Sequence, residues 1–248
     1  MSLTADLANR TAGRIIERLD LAEVQDVELT SAIDGSRVGS HRVLAGDRAS
    51  LVYVGMTVEA FGLDSHMLFA FTPPESAVPH FTLDAVLAGP HFAFHLDLIP
   101  RLDPGAHLAY LEHCFVPLTG AHAAAGRIEG LSPAHLSPLQ WQLMSSWMLA
   151  HRADEAGFAA IGPVVGAYLD HWLGLVTGAL PPELLDGIDA RRLSDRDERH
   201  RAAVFNPAVD PVWANVDRLL GAEVSDSIRR SLRTAGRGAA GGHDRSGP

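Results

Sequence analysis

Between residues 36 and 100 the chain repeats one pattern five times: a short run of alternating side chains, closed by a brief joint. The runs are SRVGSHRVLAG, SLVYVGMTVEAFG, SHMLFAFTP, HFTLDAVLAG and HFAFHLDLIP. The joints are Gly46-Asp47, Gly62-Leu63-Asp64, Thr72 to Pro79, and Gly89-Pro90. A period of two is the period of a strand, whose successive side chains point to opposite faces. A parallel crossover needs a dozen residues or more, so joints this short make sequential strands antiparallel neighbours. The segment is therefore expected to form an antiparallel sheet.

The flanks carry helical texture. Leu7, Ile15, Ile16, Leu19 and Val24 recur with charges between them, which predicts a helix over residues 4–24. After Pro104, AHLAYLEHCF reads as a short helix and SPLQWQLMSSWMLAHRADEAGFAAIGPVVGAYLDHWLGLV as containing at least one long one. Gly162-Pro163 is a natural division, because Pro suits a first helical turn. The part from Trp141 to Leu149 has a sixth strand as its alternative. PPELLDGIDARRLSDRDERHRAAVF and DPVWANVDRLLGAEVSDSIRRSLR continue as helices, and the Gly-rich end over 235–248 is expected to be disordered. Strands first and helices afterwards make an α+β fold, with one domain over 1–234 and helices packed on the sheet.

Composition narrows the function classes. The net charge of −10, with 20 Arg and no Lys, argues against general nucleic-acid binding, which depends on neutralising phosphates. One cysteine, Cys114, excludes an internal disulfide framework and fits a reducing cytoplasm. The first 24 residues are charged from the first turns and contain Asp6, Glu17, Asp20 and Glu23, so neither a signal nor a transit peptide is expected. No run approaches the ~18 uninterrupted apolar residues of a membrane helix, so no membrane partner is expected.

The common catalytic constellations fail when tested. Among the 13 His, His91 and His95 share a strand face, but four residues of strand span roughly 13 Å, too far for two ligands of one zinc. His113-Cys114 lacks any partner at metal-ligand spacing, so no metal is expected. There is no GxSxG elbow and no P-loop, and the glycines of the tail lie between no strand and helix, so no bound nucleotide is expected.

Carboxylates remain. In HFTLDAVLAG, Phe81, Leu83, Ala85 and Leu87 take one face, and His80, Thr82, Asp84 and Val86 the other. An ionised carboxylate on a covered sheet face costs several kcal/mol, so Asp84 needs a partner, a proton or a function. Asp170 stands among Val164, Val165, Tyr168, Leu169, Trp172 and Leu173 in a helix apolar almost all round, which favours partial burial; a solvated face or a hydrogen bond to a neighbour is the alternative. Asp97, beside Pro100-Arg101, reads as a turn or ion-pair residue.

PHFTLDAVLAGPHFAFHLDLIPRLDP resembles the ferredoxin-dependent bilin reductase family, on the branch of red chlorophyll catabolite reductase-like proteins. AHLAYLEHCF, SPLQWQLMSSWMLA, GAYLDHWLGL, DERHRAAVFNP and VDRLLG are similar to later family segments, in the right order, over roughly residues 40–232. The resemblance implies an α/β/α sandwich around a central antiparallel sheet. It implies an open-chain tetrapyrrole bound between sheet and helices, single electrons from ferredoxin, and no tightly bound cofactor. Asp84 then takes the position of the strand acid, and Asp170 that of a second acid facing it across a pocket, with burial raising a carboxyl towards neutral pH. His80, Thr82, His66 and Leu68 are the implied substrate contacts. Leu68 stands where several members carry a His, and His66 shares its face. Ferredoxin is acidic, and Arg191, Arg192, Arg196, Arg199 and Arg201, interleaved with Asp195, Asp197 and Glu198, are the densest candidate dock, with a solvated mixed-charge helix as the alternative. A non-catalytic tetrapyrrole-binding protein on the same fold is the alternative.

Overall fold

The computed structural model describes residues 2–237. Helix α1, Leu3–Leu19, starts at Ser2, whose hydroxyl accepts from the Ala5 amide, and stops at Asp20 in the left-handed conformation (φ 51°). Leu7, Ala8, Thr11, Ala12, Ile15 and Leu19 form its buried stripe. The stop corrects the expected helix end. Val24, counted above as helical, lies in strand β1, Ala22–Thr30, and is exposed.

The five expected strands follow: β2 Arg37–Ala45, β3 Ser50–Val58, β4 Leu63–Phe71, β5 His80–Ala88 and β6 His91–Ile99. Then come α2 Leu108–Cys114, α3 Thr119–Ala125, β7 Leu131–Pro133, α4 Pro138–Leu143, β8 Leu149–Ala153 and α5 Glu155–Ala159. The chain continues through α6 Gly162–Gly178, α7 Ala190–Val204, α8 Val212–Leu220 and α9 Ala222–Thr234. Pro163 opens α6, and Gly221, at φ 82°, divides α8 from α9. The stretch 141–149 resolves into the end of α4, a loop and the start of β8 rather than a strand of its own.

All eight strands form one sheet in the order β1-β2-β3-β4-β5-β6-β8-β7, every neighbouring pair antiparallel. Alternation sends two apolar sets to two covered faces. Leu51, Leu68, Phe81, Leu83 and Leu96 pack with α1, α2 and α6, including Tyr168 and Trp172. Val52, Val54, Phe69 and Phe71 pack with α7, α8 and α9, including Phe205, Trp213 and Ile228. The result is the three-layer α+β sandwich. Residues 155–178 are long and apolar enough to cross a membrane by length and composition. Here they break at Ala160-Ile161 and lay Val164, Val165, Leu169 and Trp172 on the sheet.

The first residues of the expected tail are ordered. Arg237 reaches Asp197 at 3.0 Å and Glu198 at 3.0 Å, so 235–237 are tied to α7. The rest of that tail, 238–248, lies outside the described residues.

Candidate functional site

The turn between β5 and β6 is two residues, Gly89-Pro90, with Gly89 at φ 58°. A two-residue loop that opens on a positive-φ glycine suits the twist of a hairpin and fixes its register. Ala88 therefore faces His91, and counting back sets Asp84 opposite His95. A one-residue slip would turn every side chain of a strand to the other face. In the observed register Val54, Met67, Asp84, His95 and Ala150 form a single row across β3, β4, β5, β6 and β8.

That row is the floor of a cavity of about 280 Å³. Leu143 and Met144 from the end of α4, Val204 and Phe205 from the end of α7, Val212, Trp213 and Val216 from α8, and Ile228 from α9 wall it. The lining is almost wholly apolar. Its polar members are Ser65, Asp84, His95, Gln140 and Asp210.

Asp84 and His95 meet at 3.4 Å (Oδ2 to Nδ1), with side chains 31% and 18% exposed. Asp84 Oδ1 and His95 Nε2 are buried without a protein partner. Unmade hydrogen bonds at buried polar atoms are costly, and here both belong to residues that line the cavity. Burial alone would lower His95, but the hydrogen bond and charge of Asp84, then the charge of Asp97, outweigh it and raise its pKa. Asp210, at the head of α8, accepts from the Val212 amide at 3.1 Å. Burial raises its carboxyl, the Val212 amide opposes this, and the negative charge of Asp84 adds to the rise. The cavity thus holds an imidazole and a carboxyl whose pKa values are both raised, on either side of Asp84. Such a set can hand protons to a bound molecule.

Asp97 lies just beyond, fully buried on the same face. It accepts from the Ser145 amide at 2.9 Å and the Ser145 hydroxyl at 2.5 Å. Burial pushes it up to about 6 against those bonds. Its partner is a serine of the β8 approach rather than Arg101.

Of the residues expected at the site, Asp84 alone lines the cavity. Asp170 does not face it. Val165, Tyr168, Leu169 and Trp172 lie three or four residues apart and point α6 at the opposite sheet face, with Trp172 Nε1 donating to the Pro79 carbonyl at 2.8 Å. Asp170 is two residues round from both Tyr168 and Trp172, 65% exposed, and paired with Arg14. The expectation that it is buried across from Asp84 is overturned; the acid on the facing wall is Asp210. His66 and Leu68 also fall on the α1/α6 side. His66 Nε2 lies 3.0 Å from Asp64, its Nδ1 lies 2.8 Å from the Tyr53 hydroxyl, and Leu68 is fully buried core. The residue of β4 opposite Asp84 is Met67, and Leu68 lies opposite Leu83 on the other face.

His80 and Thr82 share the strand face of Asp84 but are sealed from the cavity. His80 Nδ1 accepts from the Thr72 amide at 3.1 Å and Nε2 donates to Asp197 at 2.8 Å. Burial, then the charge of Arg101, lowers His80 to about 3 despite Asp197, so the ring is neutral. Burial would raise Asp197, but the bond from His80 and the charges of Arg101 and Arg201 hold it well below the usual carboxylate range. Thr82 is fully buried, its hydroxyl unpartnered.

The arginine cluster of α7 divides. Arg201 is buried and donates to the Leu232 and Ala235 carbonyls, and Arg196 donates to the Pro100 carbonyl. Arg191, Arg192 and Arg199 alone of the five are exposed. Among the described residues no group of three or more His, Cys, Asp or Glu is arranged to hold a metal.

No protein-family model and no curated protein matches the chain in sequence. Among solved structures it is similar to phytochromobilin synthase from tomato, whose structure was determined in complex with biliverdin. The TM-score is 0.75 at 15% identity, over 96% of this chain and 85% of that one. The shared property is the fold.

Proposed function

We propose that this chain binds an open-chain tetrapyrrole in the cavity over β3–β6 and reduces it with electrons from ferredoxin. Asp84 and His95 deliver protons from the cavity floor. The observation that carries the reading is the Asp84–His95 pair. Its two unpartnered buried atoms lie on the floor of an otherwise apolar cavity, in a chain with the fold of a biliverdin-bound synthase. Saturating one double bond consumes two electrons and two protons. The electrons arrive singly from two ferredoxins, so the site itself needs only to orient the pigment, exclude water and supply protons. His95 is the store, released through Asp84 or from Nε2 and refilled from solvent between the two electrons.

The branch of red chlorophyll catabolite reductase-like proteins and a cytoplasmic setting remain part of this proposal. So does a ferredoxin dock, now reduced to Arg191, Arg192 and Arg199. Leu68, where the resemblance implies a His, together with Met67 opposite Asp84, supports a second reading: a tetrapyrrole-binding protein without turnover. The test is a spectral titration with biliverdin, on the wild type and on Ala150→Trp, which places an indole on the cavity floor. Saturable binding with a visible shift, weakened at least about tenfold by Ala150→Trp, is expected. An unchanged affinity in Ala150→Trp would move the ligand out of this cavity.

A further inference from the structure

The lining of the cavity has an unusual charge. Among the described residues it contains two carboxylates, Asp84 and Asp210, and one group able to carry a positive charge, His95, already engaged by Asp84 at 3.4 Å. No arginine among the described residues lines it, and the chain has no lysine. The arginines close by are occupied. Arg229 stacks over Trp213 but is held by Asp217 and Asp226, and Arg201 is spent on carbonyls and Asp197. Arg152, two residues beyond Ala150 on β8, stands exposed at the rim.

The apolar part of the lining has its own signature. Four of the five methionines, Met56, Met67, Met144 and Met148, lie on it. Thioethers are polarisable and adapt to flat aromatic ligands. Free biliverdin, by contrast, is a dianion through its two propionates. Burying those among Asp84 and Asp210 with no cation to receive them is opposed both by desolvation and by like-charge repulsion. Arg152 meets at most one of them, in solvent, where such a pair contributes little.

Accepting the reading above that the cavity holds a tetrapyrrole, we propose that it selects the uncharged form of that ligand. The preferred ligand is a conjugated open chain of pyrrole rings whose propionates are esterified or absent, ahead of the free dicarboxylate.

The experiment titrates the full chain at pH 7.5 with biliverdin and with biliverdin dimethyl ester, followed by visible absorbance and by tryptophan fluorescence. The dimethyl ester is expected to bind at least about tenfold more tightly, about 1.4 kcal/mol. In Asp210→Asn, which removes one wall charge, that ratio should shrink towards one, whereas a purely structural effect would weaken both pigments alike. Biliverdin binding as tightly as its ester or more so, or a ratio untouched by Asp210→Asn, would overturn the inference and leave the bilin reading standing. Binding of neither pigment would overturn the bilin reading and this inference with it.

Discussion

Asp197 joins α7, one wall of the cavity, to the strand that carries Asp84, and removing it should loosen both. Its carboxylate is fully buried and touches four groups: His80 Nε2 at 2.8 Å, Arg237 at 3.0 Å, Arg201 at 3.6 Å and Arg101 at 3.7 Å. Arg101 and Arg201 are themselves about as buried, so Asp197→Ala leaves two guanidinium groups without their counter-charge and His80 without its acceptor. Truncating one partner of a buried ion pair costs about 3–5 kcal/mol, because the surviving charge stays desolvated. At ~2–4 °C per kcal/mol for a chain of this size, the fall in Tm is roughly 6–20 °C. Thermal unfolding followed by circular dichroism at pH 7 reads it directly. The acid limb supplies a second reading. A carboxyl held below its unfolded value of ~3.9 contributes stability above that pH and loses it as pH falls through its folded pKa. The wild type should therefore shed this contribution below about pH 4, and Asp197→Ala should have none of it to shed. A fall in Tm under about 2 °C at pH 7 would refute the reasoning, since it would mean that the guanidinium groups find water or other acceptors at no cost.

The buried imidazoles set a slope at milder pH. His80 and His200, lowered to about 3 and about 4 by burial and nearby arginines, bind protons only in the unfolded chain between about pH 4 and 6.5. Stability should rise with pH across that window, and urea midpoints for His200→Gln should show a shallower rise. Asp97, raised to about 6, acts with the opposite sign between ~3.9 and about 6, so Asp97→Asn should steepen it. Asp170→Asn should leave turnover unchanged and cost no more than ~1 kcal/mol, because its pair with Arg14 is exposed; a large loss of turnover would restore it to the site. Asp64 anchors α1 by accepting from the hydroxyls of Ser2, Thr4 and Thr57, so Asp64→Ala should cost about 1–3 kcal/mol, read as a lowered Tm.

Much of the sheet was legible because its strands are covered on both faces and joined by short turns. The five runs over 36–100 each became a strand. β1 was missed because it is an edge: Glu23, Asp26 and Glu28 face water, and Leu29 is its one buried side chain. Asp84 was found because a carboxylate in an apolar strand is conspicuous. His95 was legible in principle, since the Gly89-Pro90 turn pairs position 84 with 95, but weighing it only as a zinc ligand hid this. Asp170 misled because composition cannot say which side of an apolar helix meets the sheet; Trp172 and Tyr168 decide that. Asp210 carried no local signal. Its place depends on α8 returning across the face of β3–β6, which is a property of the fold rather than of the residues beside it.

The central claim is that Asp84 delivers protons to a pigment held over β5. Its most direct test is anaerobic turnover of a bilin panel with reduced ferredoxin, followed spectroscopically in the wild type, Asp84→Asn and Asp170→Asn. The account predicts bleaching or a spectral shift in the wild type and in Asp170→Asn. It predicts a loss of about 10²–10⁴-fold in Asp84→Asn, with folding and pigment binding intact. Wild-type rates in Asp84→Asn, or pigment binding with no turnover in the wild type, would contradict it.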